Sequence, residues 1–177
     1  MLKFLKIREE HLELLLNWRT LPEVTRYMFT DVDGSIENQQ KWYQNTLTDD
    51  SVRYWIISYQ DQFIGTVYLT DIDCANKHCT WGYYIGEAAG RSLGGLIPPY
   101  LFNYIFHDMK FSKVLAEVME GNENVMKLQE MFGSRLVGRY EDHIYKYGQY
   151  HDVLIYELLA KTWNSSKKYK RFVAEFE

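Results

Sequence analysis

The sequence is short of several things, and each shortage excludes a class of protein. It holds two cysteines, Cys74 and Cys79, in 177 residues. That is too few for a disulfide framework, so a reduced, cytoplasmic setting is expected. No apolar run is long enough to span a bilayer. The opening "MLKFLKIREE" turns acidic before a secretory core can form, and no membrane partner is expected. Positive charge is short too: 20 Lys and Arg stand against 24 Asp and Glu, a net charge of −4. This argues against a nucleic-acid partner but leaves room for a local basic pocket. There is no linker, repeat or low-complexity tract. The remaining composition, 46% hydrophobic and 25% charged, is that of an ordinary globular domain with a full core. Residues 1–163 are expected to form it, with 164–177 as a polar, peripheral tail.

What the chain has in excess is aromatic surface. Fifteen tyrosines offer apolar bodies with polar tips, which suit a wet cavity or an interface. Periodicity then gives the elements. "LKFLKI" reads as a strand, "REEHLELLLNWR" as a helix, and Pro22 opens another helical turn. "SIENQQKWYQNTL" is a helix capped by Ser35. "RYWIISY" and "FIGTVYLTDI" form a hairpin around "QDQ", and "HCTWGYYIG" a third strand. "KVLAEVM" reads as a buried strand and "NENVMKLQEMFG" as a helix stopped by Gly133. "RLVGRYEDHIYK" and "QYHDVLIYELL" close the chain as a strand pair. The order predicts an α/β fold: a mixed, mostly antiparallel twisted sheet of about seven strands flanked by helices.

One joint carries chemistry. "YYIGEAAGRSLGGLIPPYLFNYIF" runs from a strand through three glycines into a helix expected to reach Met109. Gly90, Gly94 and Gly95 permit tight turns and close approach of a ligand. The free N–H groups at a helix start attract anions. Pro98 and Pro99 have no N–H, so a bound phosphate must be held by the amides of Ser92, Leu93, Gly94, Gly95 and Leu96, beside the charge of Arg91. On its own this joint reads more readily as an ordinary strand-to-helix turn.

Together, "LLNWRTLPEVTRYMF", "WGYYIGEAAGRSLGG", "EVMEGNENVMKLQEMFG" and "DHIYKYGQYHDVLIYELL" resemble the GCN5-related N-acetyltransferase (GNAT) superfamily from Leu2 to Trp163. The resemblance is nearest to the bacterial branch with amino-sugar nucleotide N-acetyltransferases of pseudaminic acid biosynthesis. Spermidine and ribosomal-protein N-acetyltransferases lie further off. It implies acetyl-CoA as co-substrate, bound through the family pattern Arg/Gln-x-x-Gly-x-Gly/Ala. Arg91 and Gly94 match that pattern; Leu96 departs from it where a small residue is usual, which implies a crowded cradle. The resemblance further implies that the backbone of Tyr83, Tyr84 and Ile85 bonds the pantetheine arm, and that Asn122 contacts the same arm. Asn122 reads equally as a helix cap. Trp18, Arg19, Tyr27 and Met28 fall where the branch builds its acceptor pocket, with aromatic walls and a cation suited to a sugar nucleotide.

Acetyl transfer needs an amine stripped of its proton, donors for a developing oxyanion and a proton for the leaving thiolate. Thr80 stands where relatives often carry glutamate, and Gln129 where many carry an acidic tyrosine. Glutamine cannot deliver a proton. Tyr84, Tyr145 and His143 are the candidates for these roles, and His151 and His11 read as surface histidines. "CANKHC" offers no second ligand cluster and no metal is expected. The expected acceptor is a small-molecule amine, on an amino-sugar nucleotide, a polyamine or a protein N-terminus, and the expected assembly a monomer or homodimer. Two rivals stand beside the enzyme: a catalytically weak acyl-CoA-binding module, raised by Thr80 and Gln129, and an interaction protein using the aromatic surface and "KKYKR".

Overall fold

Seven strands form one sheet in the order β1-β2-β3-β4-β5-β7-β6 in a computed structural model that describes residues 2–177. They are β1 (Leu2–Lys6), β2 (Arg53–Tyr59), β3 (Gln62–Asp73), β4 (His78–Ile85), β5 (Lys113–Met119), β6 (Arg135–Lys146) and β7 (Gln149–Leu159). Every neighbouring pair is antiparallel except β4 and β5. Tight turns set the hairpins. Gln60 and Asp61 both take positive φ, 51° and 59°, between β2 and β3, and Tyr147 and Gly148 do the same, 54° and 77°, between β6 and β7. Two positive φ values match the right-handed twist of the flanking strands.

Side-chain alternation sorts the two faces. Trp55, Ile57, Val67, Leu69 and Trp81 point to one face and pack on Ile97, Leu101, Phe102 and Ile105. These last four come from α4 (Ile97–Asn103) and the π turn, Tyr104–Asp108, that continues it. α5 (Glu123–Met131) covers the same face through Val125, Met126 and Leu128. On the other face Ile56 meets Leu12, Leu15 and Trp18 of α1 (Leu12–Arg19). α2 (Pro22–Thr25) and α3 (Ile36–Thr46) follow, α3 capped by Ser35 as its sequence predicts.

Three expectations need correction. The joint at 88–96 is wound into 3₁₀ turns, tighter than a loop, because the glycines let successive turns close on three residues. His11, expected on the surface, is buried. Its Nδ1 accepts from the Arg8 N–H and its ring meets Phe63 edge-on. The tail is not peripheral. After α6 (Ala160–Ser165) the chain crosses α4, where Asn103 Nδ2 donates to the carbonyls of Tyr169 and Phe172 while its Oδ1 accepts from Trp163 Nε1. Phe176 then stacks on Phe4 and Tyr104. The exposed lysines conceal an aromatic residue every few positions, and it is these that dock.

Asn103 is buried, and its three bonds go to the buried Trp163 indole and to two half-buried backbone carbonyls. Asn103→Ala is expected to lower the unfolding free energy by about 2–4 kcal/mol, since it strands donors and acceptors of other residues. A urea midpoint unchanged within experimental error would contradict this anchoring role.

Candidate active site

The parallel pair β4–β5 is joined over three residues only. His78, Cys79 and Thr80 stand opposite Lys113, Val114 and Leu115. Beyond Thr80 the strands part. β4 stays with β3 as far as the Gly65–Ile85 pair, and β5 stays with β7 as far as the Met119–Val153 pair. Gly86 and Glu87 N–H both donate to the Ile64 carbonyl, which holds the end of β4 to β3. Gly86 also makes room for Trp18: a Cβ there would lie 2.1 Å from the indole. The edge of β4 facing β5 is thus left without a strand partner along Trp81–Ile85, an opening lined by backbone donors and acceptors.

Tyr83 and Tyr84 point to opposite sides of this opening. Tyr83 stacks on Trp81 and approaches Gly94. Tyr84 pairs across the sheet with Thr66 and lines a cleft of about 580 Å³ on the α1–α3 side. Burial pushes both phenols up to about 12, so each keeps its proton at neutral pH.

Gly94 and Gly95 have negative φ. A Cβ on either would meet nothing nearer than 3.5 and 3.8 Å. Neither backbone strain nor crowding by this chain therefore requires glycine at either position. A ligand pressed against the backbone would. Leu96 is 41% exposed, so its bulk lies largely in solvent and does not crowd the cradle. Arg91 sits at the rim in a 2.6 Å ion pair with Glu23. Asn122 precedes α5 but its side chain makes no capping bond, which leaves the amide available.

The cleft is walled by Trp42, Tyr54, Tyr68, Tyr84 and the 27–35 segment. Gly82 shapes it: a Cβ there would lie 2.4 Å from the Tyr68 hydroxyl, so glycine lets that ring lie across β4. One wall is held from below by Lys146. Its ammonium is buried and donates to the carbonyls of Thr25 (2.7 Å) and Met28 (2.9 Å) while pairing with Asp31 (2.7 Å). Three acceptors satisfy all three donors of an ammonium. Tyr27 adds a bond to the Gly121 carbonyl.

Three carboxylates line the cleft: Asp31, Asp33 and Glu117. The Lys146 and then the Thr25 hydrogen bonds hold Asp31 below the usual carboxylate range. The Ser35 N–H and then Asn38 do the same for Asp33. Glu117, on β5 at the parting of the strands, makes no hydrogen bond or ion pair among the described residues. It is the free carboxylate, and the sequence reading missed it. Its only signal was the one carboxylate in "KVLAEVM".

The expected site residues divide. Arg19, Tyr27, Met28 and Tyr84 line the cleft. Trp18 does not: it is buried in the core and its indole N–H donates to Glu87. His143 and Tyr145 also lie outside the lining. Both are on the exposed part of the β6–β7 hairpin, against Tyr140 and Tyr150, because a bulge between Tyr140 and Ile144 turns Lys146 inward instead. Arg139 and Asp142 N–H fix that bulge by bonding Asp152. Gln129 is buried and accepts from Ser134 Oγ. Cys79 is buried with its thiol pushed up to about 12 by desolvation, and Cys74 is on the β3–β4 loop; neither reaches the cleft. Among the described residues no group of three metal-ligating side chains occurs.

With this geometry in place, comparisons with known proteins converge. Residues 2–135 match the family described as acetyltransferase (GNAT) domain. Acetyltransferase PseH of Campylobacter jejuni is 24% identical over 130 residues, covering 72% of this chain and 78% of that protein. The putative ribosomal N-acetyltransferase YdaF of Bacillus subtilis is 27% identical over 110 residues, covering 62% and 60%. The crystal structure of spermidine N-acetyltransferase from Vibrio cholerae in complex with CoA and spermine superposes with a TM-score of 0.85 at 19% identity, covering 92% of this chain and 98% of that one.

Lys146→Met is expected to free the 27–35 wall, seen as faster proteolysis of that segment and a loss of stability of about 2–4 kcal/mol. The Asp31 side of this clamp has a defined pH sign. The folded-state pKa lies below the unfolded one, so its contribution is complete above the unfolded value, near 3.8, and is lost as pH falls through the folded one. Proteolysis of the wall that is unchanged by the substitution at pH 7 would contradict the clamp.

Proposed function

The chain belongs to the acetyltransferase (GNAT) domain family, and from that premise we propose that it moves an acetyl group from acetyl-CoA to the primary amine of a small acceptor by direct attack. The parting of β4 from β5 carries this reading. It supplies one opening with a glycine-rich cradle on one side and an aromatic cleft on the other. The chain's residues fit the co-substrate: Ser92–Leu96 with Arg91 would hold its diphosphate, and the free edge of Tyr83–Ile85 with Asn122 its pantetheine arm. Bound there, acetyl-CoA supplies a thioester carbonyl and a thiolate that leaves readily near neutral pH.

The remaining work falls to this chain's side chains. An acceptor amine arrives protonated, with a pKa near that of lysine, about 10.4. Glu117 is the one cleft carboxylate not committed elsewhere, and takes that proton directly or through a water. Tyr84 stays a neutral phenol and acts as a hydrogen-bond donor, not a base. The unpartnered amides on the β4 edge would be the donors to the thioester oxygen. Gln129 is buried and cannot give a proton; as the C–N bond forms and the C–S bond breaks, the nitrogen's second proton would pass to the departing thiolate or to water. Neither cysteine reaches the cleft, which favours direct transfer over an acyl-enzyme.

The acceptor we favour is an amino sugar attached to a nucleotide. Support comes from the aromatic walls, which suit a ring and base better than a flexible polyamine chain, and from the position of Arg19. A polyamine is the second reading, favoured by the structural likeness to a spermidine N-acetyltransferase.

Thiol release from acetyl-CoA over an amine panel tests the activity. Amine-dependent turnover is expected; CoA binding without turnover would instead indicate an acyl-CoA-binding module. Glu117→Gln is expected to cut kcat/KM by about 10²–10³ and to leave CoA affinity intact. A loss below threefold would remove Glu117 from the mechanism.

A further inference from the structure

Among the described residues, Arg19 Nη1 and His78 Nδ1 are buried side-chain polar atoms without a hydrogen-bond partner, and Thr66 Oγ1 is buried with only the Tyr84 phenol beside it. Two of the three belong to residues lining the acceptor cleft. Thr66 is 2% exposed, and Arg19 has only its Nη2 engaged, with the Thr30 carbonyl at 3.0 Å. Buried donors left unpaired are costly; Arg19 as a whole is half-buried, and within it the cost falls on Nη1.

Among the described residues no carboxylate is bonded to Arg19. Asp31 is near enough for its carboxylate to feel the guanidinium, but its hydrogen bonds go to Lys146 and Thr25. Asp33 is committed to Ser35 and Asn38. No carboxylate forms an ion pair with Arg19 among the described residues. Its field still reaches the hydroxyls of Tyr54, Tyr68 and Tyr84, where it opposes the upward push that burial gives each phenol. The cleft is therefore bipolar, with a cation that no carboxylate pairs with directly against its tyrosines, and a free carboxylate, Glu117, at the parting of the strands.

Resting on the reading of the protein as an amine acetyltransferase, we propose that the acceptor carries an oxyanion on the same molecule as its amine, a phosphate or a carboxylate. Arg19 Nη1 and Thr66 Oγ1 bind that group, and the amine is directed to Glu117. The guanidinium donates two N–H groups and the threonine one O–H, which fit two oxygens of one anion. A polyamine, carrying only positive charge, sets a cation against Arg19 and is rejected.

Matched probes separate the possibilities. Glucosamine 6-phosphate against glucosamine tests phosphate, lysine against cadaverine tests carboxylate, and spermidine tests the polycation. Binding to the CoA-loaded protein is measured by calorimetry, so a result is obtained with or without turnover, and kcat/KM is measured where turnover occurs. At least tenfold preference for one anionic member of a pair is expected. Arg19→Met is expected to reduce that preference at least tenfold, Thr66→Val about threefold, and Arg19→Lys to restore part of it. CoA affinity and the melting temperature of each variant report whether it is folded. Equal binding within each pair, spermidine as the tightest ligand, or a preference that survives Arg19→Met would overturn the proposal. If the anion preference holds in binding while no amine is acetylated, the oxyanion site stands and the assigned transfer activity fails. If amines are acetylated without preference, the reverse is true.

Discussion

Everything in this molecule is arranged around two parallel strands that meet for three residues and then separate. A sheet edge left unpaired in a protein interior costs free energy unless something bonds it. Here the chain holds β4 to β3 through the Ile64 carbonyl and leaves the other edge bare from Trp81 to Ile85. The opening places one tyrosine on each side, exposes the 3₁₀-wound glycine segment at one mouth and brings a β5 carboxylate to the other. The glycine segment, the Glu117 carboxylate and the aromatic cleft meet at this separation without any one helix or loop carrying them all.

The separation is useful only if its walls hold still, and buried polar bonds provide that. The Lys146 ammonium ties a segment over 110 residues away in sequence to the β6–β7 hairpin. The Asp152 carboxylate holds the bulge that turns Lys146 inward, so the hairpin serves as a brace. Asn103 does comparable work on the opposite face, locking the C-terminal residues across α4. Breaking any of these bonds from the buried side leaves Lys146, Asp152 or Asn103 with a polar group that has little access to water. Fully made, they specify one arrangement of the loops around the cleft.

Much of this was legible in the sequence where the signal is local. Alternation gave the strands, Ser35 the start of α3, and the run from Tyr83 to Leu96 the strand and glycine segment of the cradle. What escaped depends on distant contacts. Trp18 and Arg19 are neighbours on α1, and a rotation of about 100° per residue sends one into the core and the other into the cleft. The helical period does not tell which was meant for a ligand. His143 and Tyr145 looked available for catalysis because a bulge cannot be read from periodicity. Lys146 carried no signal because lysine is usually solvated, and Glu117 none because the face it occupies matters only where β4 has left. The basic tail hid Phe172 and Phe176 behind its charge.

Hydrogen–deuterium exchange with and without acetyl-CoA addresses the separation of β4 from β5 most directly, since backbone amides report their own partners. Added acetyl-CoA should protect the amides of Trp81–Ile85, Ser92–Leu96 and the start of α5, and leave the β6–β7 hairpin tip as it was. Protection absent from β4 and the glycine segment, or confined to the hairpin, would contradict the account.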